Sequence, residues 1–176
     1  YCLTRGDLAR GIPDCLALWI PATHAHAEDA VWLAGAFPGR LWIAFERHLR
    51  PDDQERLAAL RQLAAETGLP LVAAGDVHMH VRSRRPLQDV LAALRQKCPV
   101  DAAGHALFAN GERHLRSRLR LAQLYPPELL AETLRLAECC NFSLDELRYE
   151  YPDEIVPPGM TLSTHLRAEV DKGLLA

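Results

Sequence analysis

An alternation constrains this chain more than any other feature. Three short apolar runs, "CLALWI" (Cys15 to Ile20), "LWIAFERH" (Leu41 to His48) and "LPLVAAGD" (Leu69 to Asp76), are each followed by residues at helical spacing. A short apolar run closed by proline, glycine or a charge reads as a buried strand. "AHAEDAVWLAGAF" (Ala25 to Phe37) reads as a helix stopped by Pro38-Gly39. In "PDDQERLAALRQLAAETG", Pro51, Asp52 and Asp53 suit a helix start, and Leu57, Leu60 and Leu63 form its apolar face. Gly68 closes that helix. "RRPLQDVLAALRQ" places Leu87, Val90, Leu91 and Leu94 at helical spacing. Strands separated by helices predict an α/β fold with a parallel sheet or barrel and helices outside.

The texture changes from about Cys98. "CPVDAAGHALFANGE" reads as a loop, and "HLRSRLRLAQLYPPELLAETLRLAECCNFSLDEL" as helices with no strand between them. Pro126-Pro127 fits a helix N-terminus, and Asn141 a helix end. "YEYPDEIVPPGM" is extended, and "TLSTHLRAEVDKG" opens a last helix capped by Thr161 or Ser163. An α/β part thus gives way, near residue 100, to a helical part.

The 176 residues are 49% hydrophobic and 24% charged, which suits a globular protein with a core. The net charge of −3 carries no overall nucleic-acid signature, so phosphate contacts must come from local patches. Five cysteines, two of them adjacent at Cys139-Cys140, form no simple disulfide framework and no C-x-x-C pattern. Reduced cysteines in a cytoplasmic protein are the expectation. No signal peptide is evident, and the longest apolar runs fall far short of the roughly 20 residues of a membrane span.

Functional groups of parallel α/β folds collect where strands end at the C-terminal edge. Asp76 and His78 sit at such an end. If the strand persists through them, a period of two puts both on one side. A carboxylate beside an imidazole is a start for a divalent-metal site. The same pair also reads as an N-cap aspartate and a surface histidine. His48 ends the preceding strand-like run, with Glu46 two residues before it, and converges on the same cleft or else marks a solvated strand exit. His80, His24 and His26 are further candidates, equally readable as loop residues. Two basic clusters follow. Arg84 and Arg85 (with Arg82) and Arg116, Arg118 and Arg120 (with Arg113 and His114) suit phosphate contact, or else solvated helix faces and ion pairs.

"LPLVAAGDVHMHVRSRRPLQDVLAALRQ", together with the tract from "ERHLRSRLRLAQLYPP" to "EVDKG", resembles bacterial C-family DNA polymerases. "RSRRPLQDVL", "RYEYP" and "VPPG" favour the error-prone type over the replicative alpha subunits. The resemblance covers nearly all of the chain. It implies that residues 1–105 are the C-terminal part of a PHP (polymerase and histidinol phosphatase) domain, a (β/α)7 barrel that binds divalent metals at its strand ends. Residues 106–176 are then a helical segment leading into the polymerase palm. Asp76 and His78 match the last metal motif of that domain, and His48 falls where a further histidine ligand is found. Pro21 stands where metal-binding members carry a cysteine, and the first metal motifs precede Tyr1. The palm aspartates are absent too; "PDD" at Pro51 is a helix start.

The resemblance therefore implies a fragment of an error-prone DNA-directed DNA polymerase acting in repair and damage-induced mutagenesis. Its partners would be DNA, dNTPs and other repair polymerase subunits, with Mg²⁺ at the palm. The fragment itself supplies no catalytic residue and a partial site for Zn, Mn or Mg. Two alternatives stay open: a stand-alone PHP-type phosphoesterase resembling histidinol phosphatase, and a non-catalytic interaction module. A barrel cut at Tyr1 would leave apolar strand edges open.

Overall fold

The structure is a computed structural model that describes residues 4–9, 11–22, 27–148 and 156–174. Cys2, His24, His26 and the "YEYPDEI" tract lie outside the described residues. Two compact units are present, Tyr1–Cys140 and Asn141–Ala176.

In the first unit a short helix, α1 (Arg5–Leu8), precedes three parallel strands in sequence order. These are β1 (Ala17–Trp19), β2 (Leu41–Glu46) and β3 (Leu71–Ala74), with Ala17 opposite Leu41 and Ile43 opposite Leu71. Helix α2 (Ala27–Ala36) links β1 to β2, and α3 (Asp53–Thr67) links β2 to β3. This is the predicted strand–helix alternation. The central strand β2 is buried along its whole length, which explains its unbroken apolar run.

The core is built on both faces of β2. Ile43 and Phe45 pack with Leu57, Leu60 and Leu63 of α3, the three leucines that the sequence places on one helix face. Each such side chain contributes about 1.5–3 kcal/mol on full burial. Trp42 and Ala44 pack with Val72 on the other face. Gly68 ends α3 in the left-handed conformation (φ 71°), its N–H bonded to the Ala64 carbonyl, where a side chain would be strained.

Two helices of the later tract also belong to this unit. They are α5 (Arg118–Leu124) and α6 (Pro127–Glu138), the latter starting on a proline as expected. Leu124 and Leu129 join the Ile43–Phe45 cluster, and Trp42 Nε1 donates to Glu132 Oε1 at 2.9 Å. The compact unit therefore runs past the change of texture near residue 100. The second unit holds a 3₁₀ turn (Leu144–Glu146) and α7 (Leu162–Leu174), whose first turn is capped by Thr161 Oγ1, 3.3 Å from Thr164 N.

One expectation needs correction. Strand β3 stops at Ala74, short of Asp76, because the chain turns through Gly75 and Asp76 has φ 42°. The period-two argument for Asp76 and His78 therefore loses its premise. Helix α4 (Arg85–Gln96) forms as the spacing predicts, yet Leu87, Val90, Leu91 and Leu94 are exposed and Ala93 is its buried residue. Helical spacing reports an apolar face, not what covers it. Among the described residues, Cys15, Cys98, Cys139 and Cys140 are free, and no helix is long and apolar enough to cross a membrane.

Tyr125 ties this fold to its strand exits. The ring meets Phe45 edge-on at 6.0 Å, and its hydroxyl donates to Ala74 O at 2.7 Å and accepts from Arg47 N at 3.0 Å. Replacing Tyr125 by Phe keeps the ring but orphans a backbone group at the exit of each strand. The expected loss is about 1–3 kcal/mol in urea unfolding; an unchanged midpoint would show that the hydroxyl is dispensable.

Candidate functional site

The parallel pairing of β2 and β3 brings their C-terminal exits side by side. Glu46 is the last residue of β2, His48 lies two residues on, and Asp76 follows Gly75 beyond β3. One ligand-type atom from each of Glu46, His48 and Asp76 lies within 4.8 Å of the others. Glu46 and His48 are 6% and 5% exposed, while the Asp76 side chain is 33% exposed. The predicted Asp76 and His48 thus converge. Glu46, noted in the sequence only as His48's neighbour, completes the group; its signal was the E-x-H spacing at a strand exit.

His78 is placed differently. Its Nε2 lies 3.0 Å from Asp76 Oδ1, and its ring sits 4.8 Å from Phe108, so it braces Asp76 from outside the group of three. The two residues meet through this bond and not through strand alternation. His80 is exposed, and Pro21, buried after β1, offers no side-chain donor.

A second strand-like contact carries the site's cation. His78 N and Met79 N both donate to Arg113 O, at 2.9 and 3.0 Å, and Leu115 N donates to Met79 O at 3.0 Å. This pairing of distant segments sets Arg113 beside Asp76, and its guanidinium forms an ion pair with Asp76 Oδ2. The same guanidinium stacks on Phe108, with Cζ 4.3 Å from the ring centre. Burial lowers the Arg113 pKa, with the Glu46 carboxylate opposing that shift. A guanidinium keeps its charge regardless.

His48 is held by its surroundings. Its Nε2 faces the Gly75 carbonyl at 3.3 Å, and its own carbonyl accepts from Asn110 Nδ2 at 2.7 Å. Burial is the main reason its pKa lies below the ordinary histidine value. The charge of Arg113 acts in the same direction, and the Gly75 carbonyl acts against both. The imidazole is therefore neutral at pH 7, with its proton on the nitrogen that faces Gly75.

One imidazole and two carboxylates match the donor preferences of Zn²⁺ or Mn²⁺. Their present engagement does not suit an ion. Asp76 has both oxygens taken, by His78 and Arg113, and a positive guanidinium stands at the group.

The predicted phosphate arginines divide into two kinds. Arg116 is buried, with both Nη atoms 3.0 Å from Arg47 O and Nη2 3.3 Å from the buried carboxylate of Glu112. Arg82 pairs with the same Glu112. Arg85 bonds both oxygens of Asp89 at 3.2 Å and reaches Phe108 O at 2.5 Å. Arg84, Arg118 and Arg120 are exposed.

Fold and site together define a parallel α/β unit with an acid–imidazole cluster at adjacent strand exits. No family model matches the chain. Over 99% of its length it is similar to proteins named Error-prone DNA polymerase: 59% identical over 179 residues to that of Dechloromonas aromatica (strain RCB) and 55% over 179 to that of Azoarcus sp. (strain BH72). Identity is 48% over 174 residues to that of Pseudomonas aeruginosa strain PAO1. The chain spans 17% of the length of each of these relatives. It is thus homologous to one segment of the error-prone DNA polymerases, in agreement with the resemblance that its motifs carry.

Arg116 yields a testable distinction. Arg116→Ala leaves the Arg47 carbonyl without its donor and the Glu112 carboxylate with Arg82 alone, and should cost about 1–3 kcal/mol of stability. Exposed Arg118→Ala should stay within about 0.5 kcal/mol. Denaturant unfolding of both variants reads the difference, and equal stabilities would refute the strut role of Arg116.

Proposed function

We propose that the chain is a segment of an error-prone DNA-directed DNA polymerase, an enzyme of DNA repair and damage-induced mutagenesis. The observation that carries this reading is 59% identity along 99% of the chain. The whole protein would take DNA and dNTPs, use Mg²⁺ at a palm outside this segment, work in the cytoplasm and meet other repair polymerase subunits. Residues 1–105 form the C-terminal part of a PHP (β/α)7 barrel in this reading, and residues 106–176 lead into the palm. The three parallel strands with intervening helices support the barrel.

The segment acts as a scaffold. Glu46, His48 and Asp76, with His78 bracing Asp76, are the remnant of a divalent-metal site for Zn, Mn or Mg. Among the described residues, that cluster is the feature that favours a PHP-type phosphoesterase. The pairing of Asp76 with Arg113 favours the scaffold, because it removes a donor that metal-assisted hydrolysis would need.

Primer extension by the full-length protein tests the main reading. Templated dNTP incorporation that continues across a damaged template base is the expected result; no incorporation on any primed template would overturn it. Arg84, Arg118 and Arg120 supply the phosphate contacts of this segment, while Arg85 and Arg116 hold its loops. Arg118→Ala combined with Arg120→Ala should flatten the plot of log K against log salt by about 2, near 0.9 per phosphate lost. An unaltered slope would return both arginines to a solvated face.

A further inference from the structure

Two carboxylates at adjacent strand exits need a positive counter-charge. Glu46 is 6% exposed, and among the described residues its carboxylate has no hydrogen bond or ion pair. Two like charges held close together repel unless a cation stands beside them. Arg113 is the cation that faces both. It pairs with Asp76 directly, and Glu46 acts on it as an opposing charge.

The position of Arg113 is set by the fold and not by Asp76 alone. Its carbonyl is the acceptor for two consecutive backbone amides, His78 and Met79. Its guanidinium rests on the Phe108 face, and Phe108 O is itself held by Arg85 Nη2. An ion at the centre of Glu46, His48 and Asp76 would meet this guanidinium. It would also compete for the Asp76 oxygen that the guanidinium holds.

We propose that Arg113 is the resident cation of the Glu46–His48–Asp76 cluster, and that a divalent metal binds there only by displacing it. The cluster is then a metal-independent support for the two strand exits. This follows from its contacts alone, so a negative primer-extension result would leave it standing.

The test uses Mn²⁺ titration of the full-length protein, followed by calorimetry and by the shift in melting temperature. Four forms are compared: wild type, Asp76→Asn, Arg113→Met, and Arg113→Met with Asp76→Asn. Comparing each form that keeps Asp76 with its Asp76→Asn counterpart isolates this cluster from metal bound elsewhere. Wild type should show no Mn²⁺ binding that depends on Asp76. Arg113→Met should melt lower without metal, bind Mn²⁺ at least about ten-fold tighter and regain melting temperature on saturation. The double variant should lose that gain. Wild-type Mn²⁺ binding that is tight and abolished by Asp76→Asn would overturn the proposal. So would an Arg113→Met protein whose affinity is unchanged. If Arg113→Met fails to fold, Arg113→Lys keeps a charge but loses the planar fork. Weak metal binding in Arg113→Lys and in wild type then supports the proposal, and tight Asp76-dependent binding in either overturns it.

Discussion

The exits of β2 and β3 are held together by one phenol. Tyr125 accepts from the backbone just after β2 and donates to the last carbonyl of β3, while its ring closes the core against Phe45. The rest of the site depends on that clamp. If the two exits spread, Glu46, His48 and Asp76 would no longer lie within reach of one another. The Arg47 carbonyl would also lose its place under the Arg116 guanidinium. Hydrophobic burial makes the sheet. A few directional hydrogen bonds at its edge decide where the polar side chains finish.

The site balances charge within a half-buried space. Glu46, Asp76 and Glu112 bring negative charge; Arg113, Arg82 and Arg116 answer it. Arginine suits this role because its planar fork serves several acceptors at once and its charge survives burial. The cluster thereby keeps the donor types of a metal site while its Asp76 carboxylate is engaged by protein.

Much of the fold was legible in the residues, and for identifiable reasons. The leucine triplet of α3 faces the core as its spacing implied, Gly68 and Pro127 mark helix ends, and the parallel order follows from the strand–helix alternation. The site was only half legible. His48 and Asp76 stood out as polar residues closing apolar runs, and they do converge. His78 was placed beside Asp76 for a mistaken reason, since β3 ends before either residue. The apolar face of α4 was legible as helical spacing while its exposure was not, because periodicity carries no information about partners.

Sequence alone determined what is local: which runs extend, which coil, where helices stop, and that an acid and an imidazole lie just past two apolar runs. Those properties follow from side-chain volume, backbone freedom and spacing along one segment. Tertiary structure alone decided the rest. It carried Arg113 to Asp76 through backbone pairing between segments far apart in the chain, and it buried Arg116 while leaving Arg118 and Arg120 in solvent. The three arginines near residue 118 look alike in sequence. What separates them is the desolvation each meets and the acceptor opposite it, and both are set by packing between elements.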